Sequence, residues 1–249
     1  MIRIVQKHPT RAARLLPRLV MATLVAGTLL LPGSSADAAL TTGKCLAQKS
    51  KAWGNLRKCQ ATARAKILEG KVGDLTKCQT AFQGALTKIG AKATKAAIAC
   101  RYGDNSDGTV TDYDTGLQWE KKTGGVADLC LLGDVHCVND RYDWNGANLF
   151  VDGSADGTTV TSFLAGYADW RLPTIAELRT IVDETVPGCG SGGPCIDPVF
   201  GPTAAYYYWS ATTNADFPDY AWNVNFGNGF VSLADKNNNF AVRAVRTGL

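Results

Sequence analysis

The stretch of sequence that decides the fold runs from Asp169 to Asp183 and reads DWRLPTIAELRTIVD. Within it, Thr174 follows Pro173 and stands three residues before Glu177, which is the spacing of an N-terminal capping box. A threonine here accepts a hydrogen bond from a free amide of the first helical turn, so we predict that a helix begins at this point. The side chains expected to pack into the core from this helix are Ile175, Leu178, Ile181 and Val182.

Around this helix, residues 102–249 are rich in Gly, Asp, Asn and aromatic residues, and apolar residues alternate with polar ones. Such a period of two predicts strands, because successive side chains of a strand point to opposite faces. Gly227, Asn228 and Gly229 form a strong hairpin signal. We therefore predict an α+β segment that is mainly β with short helices. Its expected elements are strands around a turn at 114–116, a helix at 143–150, and strands near 206–213, 220–226, 229–234 and 240–246.

Residues 39–101 have a different composition, rich in Ala, Lys, Leu and Gln and without proline, which favours helix. Gly70 and Gly73 interrupt this pattern, so we predict an antiparallel helical hairpin. The hairpin carries 13 Lys and Arg against Glu69 and Asp74, a net charge of +11. Residues 102–249 carry 8 Lys and Arg against 19 Asp and Glu, a net charge of −11. The chain thus divides into a basic and an acidic part.

All eight cysteines lie after residue 44, and their even number favours four disulfides in an oxidising compartment. In the hairpin, antiparallel geometry favours nested pairs, Cys59 with Cys78 and Cys45 with Cys100. The two helical stretches between them differ in length, roughly 21 Å and roughly 33 Å. Because bridged Cα atoms lie within about 7 Å, one outer end must leave the helix for both bridges to form. The other four cysteines are Cys130 and Cys137, which we expect to close a small loop, and Cys189 and Cys195.

Residues 1–38 have the pattern of a secretory signal peptide. A basic start precedes an apolar run at 19–31, and residues 36–38 (ADA) match a cleavage site. The apolar run is shorter than the roughly 20 residues that span a membrane, and no later segment comes closer. We therefore expect a secreted, periplasmic or cell-surface protein. Its predicted parts are the signal peptide at 1–38, the basic hairpin at 39–101 and a domain at 102–249.

Four blocks follow one another in the acidic part of the chain. They are DNSDGTVTDYDTGLQW at 104–119, DWRLPTIAELRTIVD at 169–183, YWS at 208–210 and VRAVR at 242–246. In this order they resemble the Lcl C-terminal domain family, which is named for a bacterial collagen-like adhesin. The resemblance implies a C-type-lectin-like fold related to the formylglycine-generating enzymes, and it covers nothing before residue 102.

The residues that carry two activities of those relatives are absent from this chain. The formylglycine-generating enzymes use a late pair of cysteines, whereas here no cysteine follows Cys195. Lectins that bind sugar through calcium use a Trp-Asn-Asp strand, whereas here Trp222 and Asn223 are followed by Val224. The resemblance therefore predicts the C-type-lectin-like fold without formylglycine-generating activity and without calcium-dependent sugar binding.

The candidate binding site lies in the polar connections at 212–219 and 235–239, between the last predicted strands. These loops combine Asn and Asp with few large apolar residues, and loops held by a rigid sheet are where ligand contacts concentrate. Solvated turns without a ligand are the alternative interpretation. The candidate ligand-binding residues are Asn214, Asp216, Asp219, Trp222, Asn223, Asn225, Asn237, Asn238 and Asn239.

The sequence predicts no cofactor, no metal site and no catalytic centre, although calcium binding is left open. Residues 104–112 resemble a calcium loop, but Gly103 stands at its first ligand position and no glutamate stands at its twelfth. Turns held by Asx hydrogen bonds are the alternative there. His136 is the only histidine after the signal peptide, and no spacing suggests the oriented partner that catalysis needs.

We therefore expect an exported, non-enzymatic binding or adhesion protein. Its partner would be a glycan, a polyanion or a surface protein, with the basic hairpin as a second contact. Nucleic acid is not expected, because Trp53 and Phe82 are the only aromatic residues of the hairpin. Two alternatives are left open: a divergent enzyme of the same fold, and a structural envelope protein whose oppositely charged parts assemble into a homo-oligomer.

Overall fold

Two long helices, α1 (Thr42–Leu68) and α2 (Leu75–Lys95), form the first part of the structure. This computed structural model describes residues 40–125, 136–152 and 164–249, so the predicted signal peptide lies outside the described residues. Thr41 caps α1 and Asp74 caps α2, each by accepting a backbone amide of the first turn. None of the helices described is long and apolar enough to cross a membrane.

The turn between α1 and α2 is tight and depends on two glycines. Gly70 ends α1 with φ +72°, a conformation that glycine adopts without strain. Its amide donates to the Ile67 carbonyl, as in a Schellman cap. Gly73 then passes so close to α1 that an added Cβ would lie 2.1 Å from the Ala63 carbonyl oxygen. The predicted break at these glycines is confirmed.

Two disulfides join the helices in the predicted nested order. Cys59 pairs with Cys78 at a Cα separation of 5.7 Å, and Cys45 pairs with Cys100 at 5.9 Å. Cys100 lies beyond the end of α2, and Ala97, with φ +51°, lies where the chain leaves the helix. Helix α2 therefore ends before it reaches Cys100. This shortening allows both disulfides to form.

The remaining described cysteines are also oxidised. Cys189 pairs with Cys195 at a Cα separation of 4.6 Å. Cys137 is disulfide-bonded, and its expected partner Cys130 lies outside the described residues.

Two antiparallel sheets follow the hairpin. The first has the order β1-β2-β3-β7 and the second the order β4-β5-β6. The α+β class is confirmed, while the C-type-lectin-like topology stays a prediction. The strands are β1 (Tyr102–Asp104), β2 (Thr109–Asp112), β3 (Leu117–Glu120), β4 (Tyr207–Thr213), β5 (Tyr220–Asn225), β6 (Val231–Asp235) and β7 (Val245–Thr247).

Short helices cover the sheets and complete two cores. Helix α4 (Ile175–Thr180) begins at Thr174 with the predicted capping box, in which the side chains and amides of Thr174 and Glu177 bond reciprocally. Its Leu178 packs with Trp119 and Tyr208 in the core that joins both sheets. Helix α3 (Trp144–Asp152) places Ala147 against Trp209 in a second core.

The last predicted strand, 240–246, is split in the structure, and only β7 pairs as a regular strand. Ala241 exchanges backbone hydrogen bonds with Tyr207 and Trp209 of the second sheet, whereas Ala244 accepts from Glu120 of the first. The segment therefore crosses from one sheet to the other. Between these contacts the buried Arg243 donates to the carbonyls of Glu120 in β3 and of Phe200.

The hairpin packs against the β2–β3 turn through its open end. Trp53 of α1 donates to the Tyr113 carbonyl, and its ring lies against Gly116. Lys49 pairs with Asp114 while its own side chain is only 5% exposed. The basic hairpin and the acidic domain are thus joined by a small set of buried contacts at one end of the hairpin.

Candidate functional site

Two of the predicted loops meet at one end of the second sheet. The β4–β5 loop leaves Thr213 and returns at Tyr220, and Tyr220 pairs in register with Asp235, the last residue of β6. The amide of Lys236 donates to the carbonyl of Asp219 over 2.9 Å, which joins the loops directly. We call residues 214–220 together with 235–239 the loop surface.

Several polar side chains of the loop surface hold the turns themselves. Asn214 Oδ1 accepts the amides of Asp216 and Phe217 over 2.9 Å and 2.8 Å. Asp235 Oδ1 accepts both the amide and the side-chain nitrogen of Asn237. These are Asx turns, in which the side chain replaces a backbone partner. Asn214, Asn237 and, through a bond to the Asp235 carbonyl, Asn238 therefore shape the surface.

Other polar groups of the loop surface face solvent. Asp216, Asp219 and Asn239 are exposed. Within the ranges that the structure describes, their side chains make no hydrogen bond or ion pair. Two carboxylates and an amide are thus available to an incoming ligand.

Exposed apolar side chains lie beside these polar groups. Phe217 is 62% exposed and Tyr220 40% exposed, and their rings stand nearly perpendicular with centroids 6.2 Å apart. Because side chains alternate along a strand, Tyr220 and the half-buried Trp222 share one face of β5. Leu233, opposite Trp222 in register, is also exposed. Exposed apolar patches rimmed by polar residues mark interaction sites.

Two predicted site residues do not join the loop surface. Asn223 is fully buried in the middle of β5, where its Oδ1 accepts from Ser232 Oγ over 2.6 Å. Asn225 lies at the opposite end of β5, and its Oδ1 accepts the Gly227 amide, which shapes the β5–β6 hairpin. The structure thus gathers Trp222 and the loop residues and separates them from these two.

The candidate calcium loop at 104–112 is built from turns. Asp104 Oδ1 accepts the Ser106 amide, and Asp107 Oδ1 accepts the amide and hydroxyl of Thr109. Lys121 pairs with the other oxygen of Asp104. Among the described residues, no three His, Cys, Asp or Glu side chains converge to hold a metal ion.

A buried charge cluster, which the sequence analysis did not anticipate, lies where β3 meets the crossing segment. Glu120 is fully buried, and its Oε1 accepts from Lys122 Nζ over 2.8 Å and lies 2.6 Å from His136 Nδ1. Its Oε2 accepts the Ala244 amide over 2.9 Å. His136, which the sequence analysis left without an oriented partner, is only 21% exposed at its side chain and lies against an acid.

The neighbours of the buried Glu120 favour its ionised form. Burial alone would raise the pKa of Glu120, but the nearby charge of Lys122 and the hydrogen bond to His136 outweigh it and lower the pKa to about 2. Burial lowers the pKa of Lys122, and Glu120 opposes only part of that effect. One feature of the sequence could have indicated this cluster. Glu120 is a charged residue between Trp119 and Lys121, in a strand that otherwise contributes to the core.

The fold and the loop surface define an α+β domain that offers polar loops and exposed aromatic rings and that is joined to a disulfide-linked helical hairpin. The sequence from residue 108 to residue 246 matches the model of the Lcl C-terminal domain, so the chain belongs to that family. At this coarse level it is an adhesin-like surface protein. No curated protein matches the chain.

Proposed function

We propose that this protein is an exported, non-enzymatic surface protein that binds a glycan at its loop surface. The observation that carries the proposal is the exposed pair Phe217 and Tyr220 beside the carboxylates of Asp216 and Asp219. Aromatic rings offer a flat apolar face to the C–H side of a sugar, while carboxylates accept hydrogen bonds from its hydroxyls. Family membership supports the surface location and the disulfides support export.

The charge of the loop surface favours a neutral or cationic glycan over a sulfated one. Asp216, Asp219 and Asp235 lie within it, and the cation nearest to them, Lys236, is stacked over the Trp144 ring at 4.1 Å. A sulfated chain would meet several like charges at short range. Any polyanion contact belongs instead to the basic hairpin.

Glycan array binding of the chain from residue 39 onward tests this proposal. We expect binding to at least one neutral or amino-bearing glycan, and a loss of about 10-fold or more in affinity for Tyr220→Ala. Phe230→Ala is the matched control, because Phe230 is also an exposed aromatic residue but lies in the β5–β6 turn at the other end of the sheet. Equal losses for both variants, or binding only to sulfated glycans, would contradict the proposal.

A divergent enzyme of the same fold is the second candidate, and the specific observation in its favour is the contact of His136 with Glu120. We favour a structural role for this contact, because both oxygens of Glu120 are already engaged by Lys122, His136 and the Ala244 amide. Hydrolysis of a glycan library by the purified protein, abolished by His136→Gln, would overturn that preference.

A further inference from the structure

The hairpin ends in a group of apolar side chains that are exposed in the described part of the chain. Leu68 is 88% exposed and Val72 is 92% exposed, and Ile67 and Leu75 beside them are also exposed. Single exposed apolar residues are ordinary, but four within nine residues at the end of a hairpin form a patch. We call residues 64–77 the hairpin tip.

The turn holds these side chains outward. Gly73 passes close against the Ala63 carbonyl and so fixes the path of the turn beside Val72. The cap at Gly70 fixes the last turn of α1, which carries Leu68. Both exposed side chains therefore lie on a turn whose backbone is fixed.

Lysines lie beside Val72 of this patch. Lys58, Lys66 and Lys77 line a groove of about 480 Å³ that runs past the Cys59–Cys78 disulfide and includes Val72 in its wall. None of these three lysines has an acidic partner in the described chain. The groove's acidic residue, Asp74, is engaged as the cap of α2.

Among the residues that the structure describes, no element covers Leu68 or Val72 at the tip. The contacts that fasten the hairpin to the acidic domain include Lys49 and Trp53 of α1. Leu68 follows Trp53 by fifteen residues, which is about 22 Å along a helix. The tip is therefore distant from the domain that carries the opposite charge.

We propose that the hairpin tip is a peripheral membrane contact, in which Leu68 and Val72 enter the interface of an anionic bilayer while Lys66 and Lys77 of the tip, and Lys58 in the adjoining groove, hold lipid phosphates. An apolar tip within a cationic rim matches the two components of such a surface, acyl chains beneath negatively charged headgroups. A polysaccharide or nucleic acid would satisfy the lysines but would leave the leucine and valine in water. A second copy of the tip would place like charges face to face.

This contact is independent of glycan binding, because it uses the opposite part of the chain. The hairpin would hold the protein at a lipid surface while the loop surface stays available to bind a glycan. The two proposals therefore succeed or fail in separate experiments.

Cosedimentation with vesicles tests the contact, using the chain from residue 39 onward, which forms one compact unit. We expect binding to phosphatidylcholine vesicles that contain about a third phosphatidylglycerol, weakening as salt rises, and little binding to pure phosphatidylcholine. Replacing Leu68→Ser and Val72→Ser together is expected to reduce the affinity at least about 30-fold, since each loses most of its apolar burial. Phe230→Ser is the control for removing an exposed apolar side chain elsewhere.

The role of the lysines is tested by two triple variants that remove the same number of positive charges from different places. Lys58→Gln, Lys66→Gln and Lys77→Gln together are expected to reduce the affinity about 100-fold, from about 5-fold for each cation. Lys88→Gln, Lys92→Gln and Lys95→Gln remove the same charge from exposed positions near the other end of α2 and are expected to have a much smaller effect. Equal losses for the two sets would overturn the proposal, because they would indicate attraction to total charge alone.

A direct readout of insertion uses Val72→Trp. Its added fluorescence is expected to shift to shorter wavelength with anionic vesicles and to be quenched by brominated acyl chains. Unchanged emission, unchanged binding of the double serine variant, or self-association through the tip in vesicle-free solution would each overturn the membrane contact.

Discussion

The indole nitrogen of Trp53 donates a hydrogen bond to the backbone carbonyl of Tyr113 over 3.0 Å. This bond crosses from the helical hairpin to the β2–β3 turn, sixty residues later in the chain. The same indole packs against Phe82 of α2, with ring centroids 4.4 Å apart. One side chain therefore links both helices of the hairpin to the acidic domain.

The close approach of Trp53 to Gly116 predicts a sharp difference between two glycine substitutions. A Cβ at Gly116 would lie 2.5 Å from the indole, whereas one at Gly190 would meet nothing, although both residues have φ near +75°. Gly116→Ala is expected to lower the free energy of unfolding by at least about 1 kcal/mol more than Gly190→Ala, as overpacking does. Urea unfolding measures both.

A double-mutant cycle isolates the cause. Trp53→Ala alone is expected to cost about 3 kcal/mol from lost packing. In the Trp53→Ala background, Gly116→Ala should cost no more than Gly190→Ala, because the clash is gone. If Gly116→Ala still cost more than Gly190→Ala in that background, the clash with the indole would not be the cause of the difference.

The buried Glu120 predicts a loss of stability in acid. The folded-state pKa lies near 2, below its ordinary value of 4.5, so the unfolded chain binds the proton more readily. The stabilisation is fully present above pH 4.5 and is lost as the pH falls toward 2. The expected loss is roughly 3 kcal/mol, which urea unfolding at a series of pH values measures.

Substitution identifies the titrating group. Glu120→Gln is expected to be destabilised at pH 7 by roughly 3 kcal/mol, because it leaves the buried Lys122 without its charged partner. Between pH 4.5 and pH 2 its stability should fall less than that of the unsubstituted protein. Glu184→Gln, at an exposed position, is the control and should retain the full acid dependence. An unchanged profile for Glu120→Gln would assign the acid sensitivity elsewhere.

The nested disulfides are expected to contribute unequally. Cys45 and Cys100 close a loop of 55 residues, and Cys59 and Cys78 close one of 19. In the chain-entropy description, removing the outer bridge costs about 4 kcal/mol and removing the inner one about 3 kcal/mol. Thermal unfolding of the two double serine variants measures the order. A larger loss from the inner bridge would show that packing at the tip outweighs loop closure.

The sequence predicted the local features whose physics is local. The capping box at Thr174, the glycine break at Gly70 and the turn at Gly229 each depend on neighbouring residues and are present in the structure. The nested disulfides were also predictable, because helix pitch and the allowed Cα separation restrict the pairs. The unequal spacing of the cysteines also predicted that one outer end must leave the helix, and in the structure this end is the one that carries Cys100.

Features that depend on distant residues were not predictable in this way. Glu120 meets His136 and Ala244 only after the sheet has formed, and no spacing between them signals the contact. The burial of Asn223 was missed because an asparagine on a strand can face either water or core. The exposed apolar tip was overlooked for a related reason, since apolar helix residues such as Ile67 and Leu75 can equally pack against the other helix of a hairpin.

The hydrogen bonds of Asn214 lead to the last prediction. Its substitution should change the shape of the loop surface without removing a group that touches the ligand. Its side chain accepts the amides of Asp216 and Phe217, so Asn214→Ala is expected to cost about 1 kcal/mol and to speed hydrogen exchange at those two amides. Glycan affinity should fall as well, because Phe217 loses its fixed position. Asp219→Asn is the control for the hydrogen-exchange measurement. The Asp219 side chain has no partner in the described chain, so this substitution removes a charge and leaves the turn intact. If exchange at the two amides is unchanged in Asn214→Ala, the turn is held by its backbone, and Asn214 is then a candidate for direct contact with the ligand.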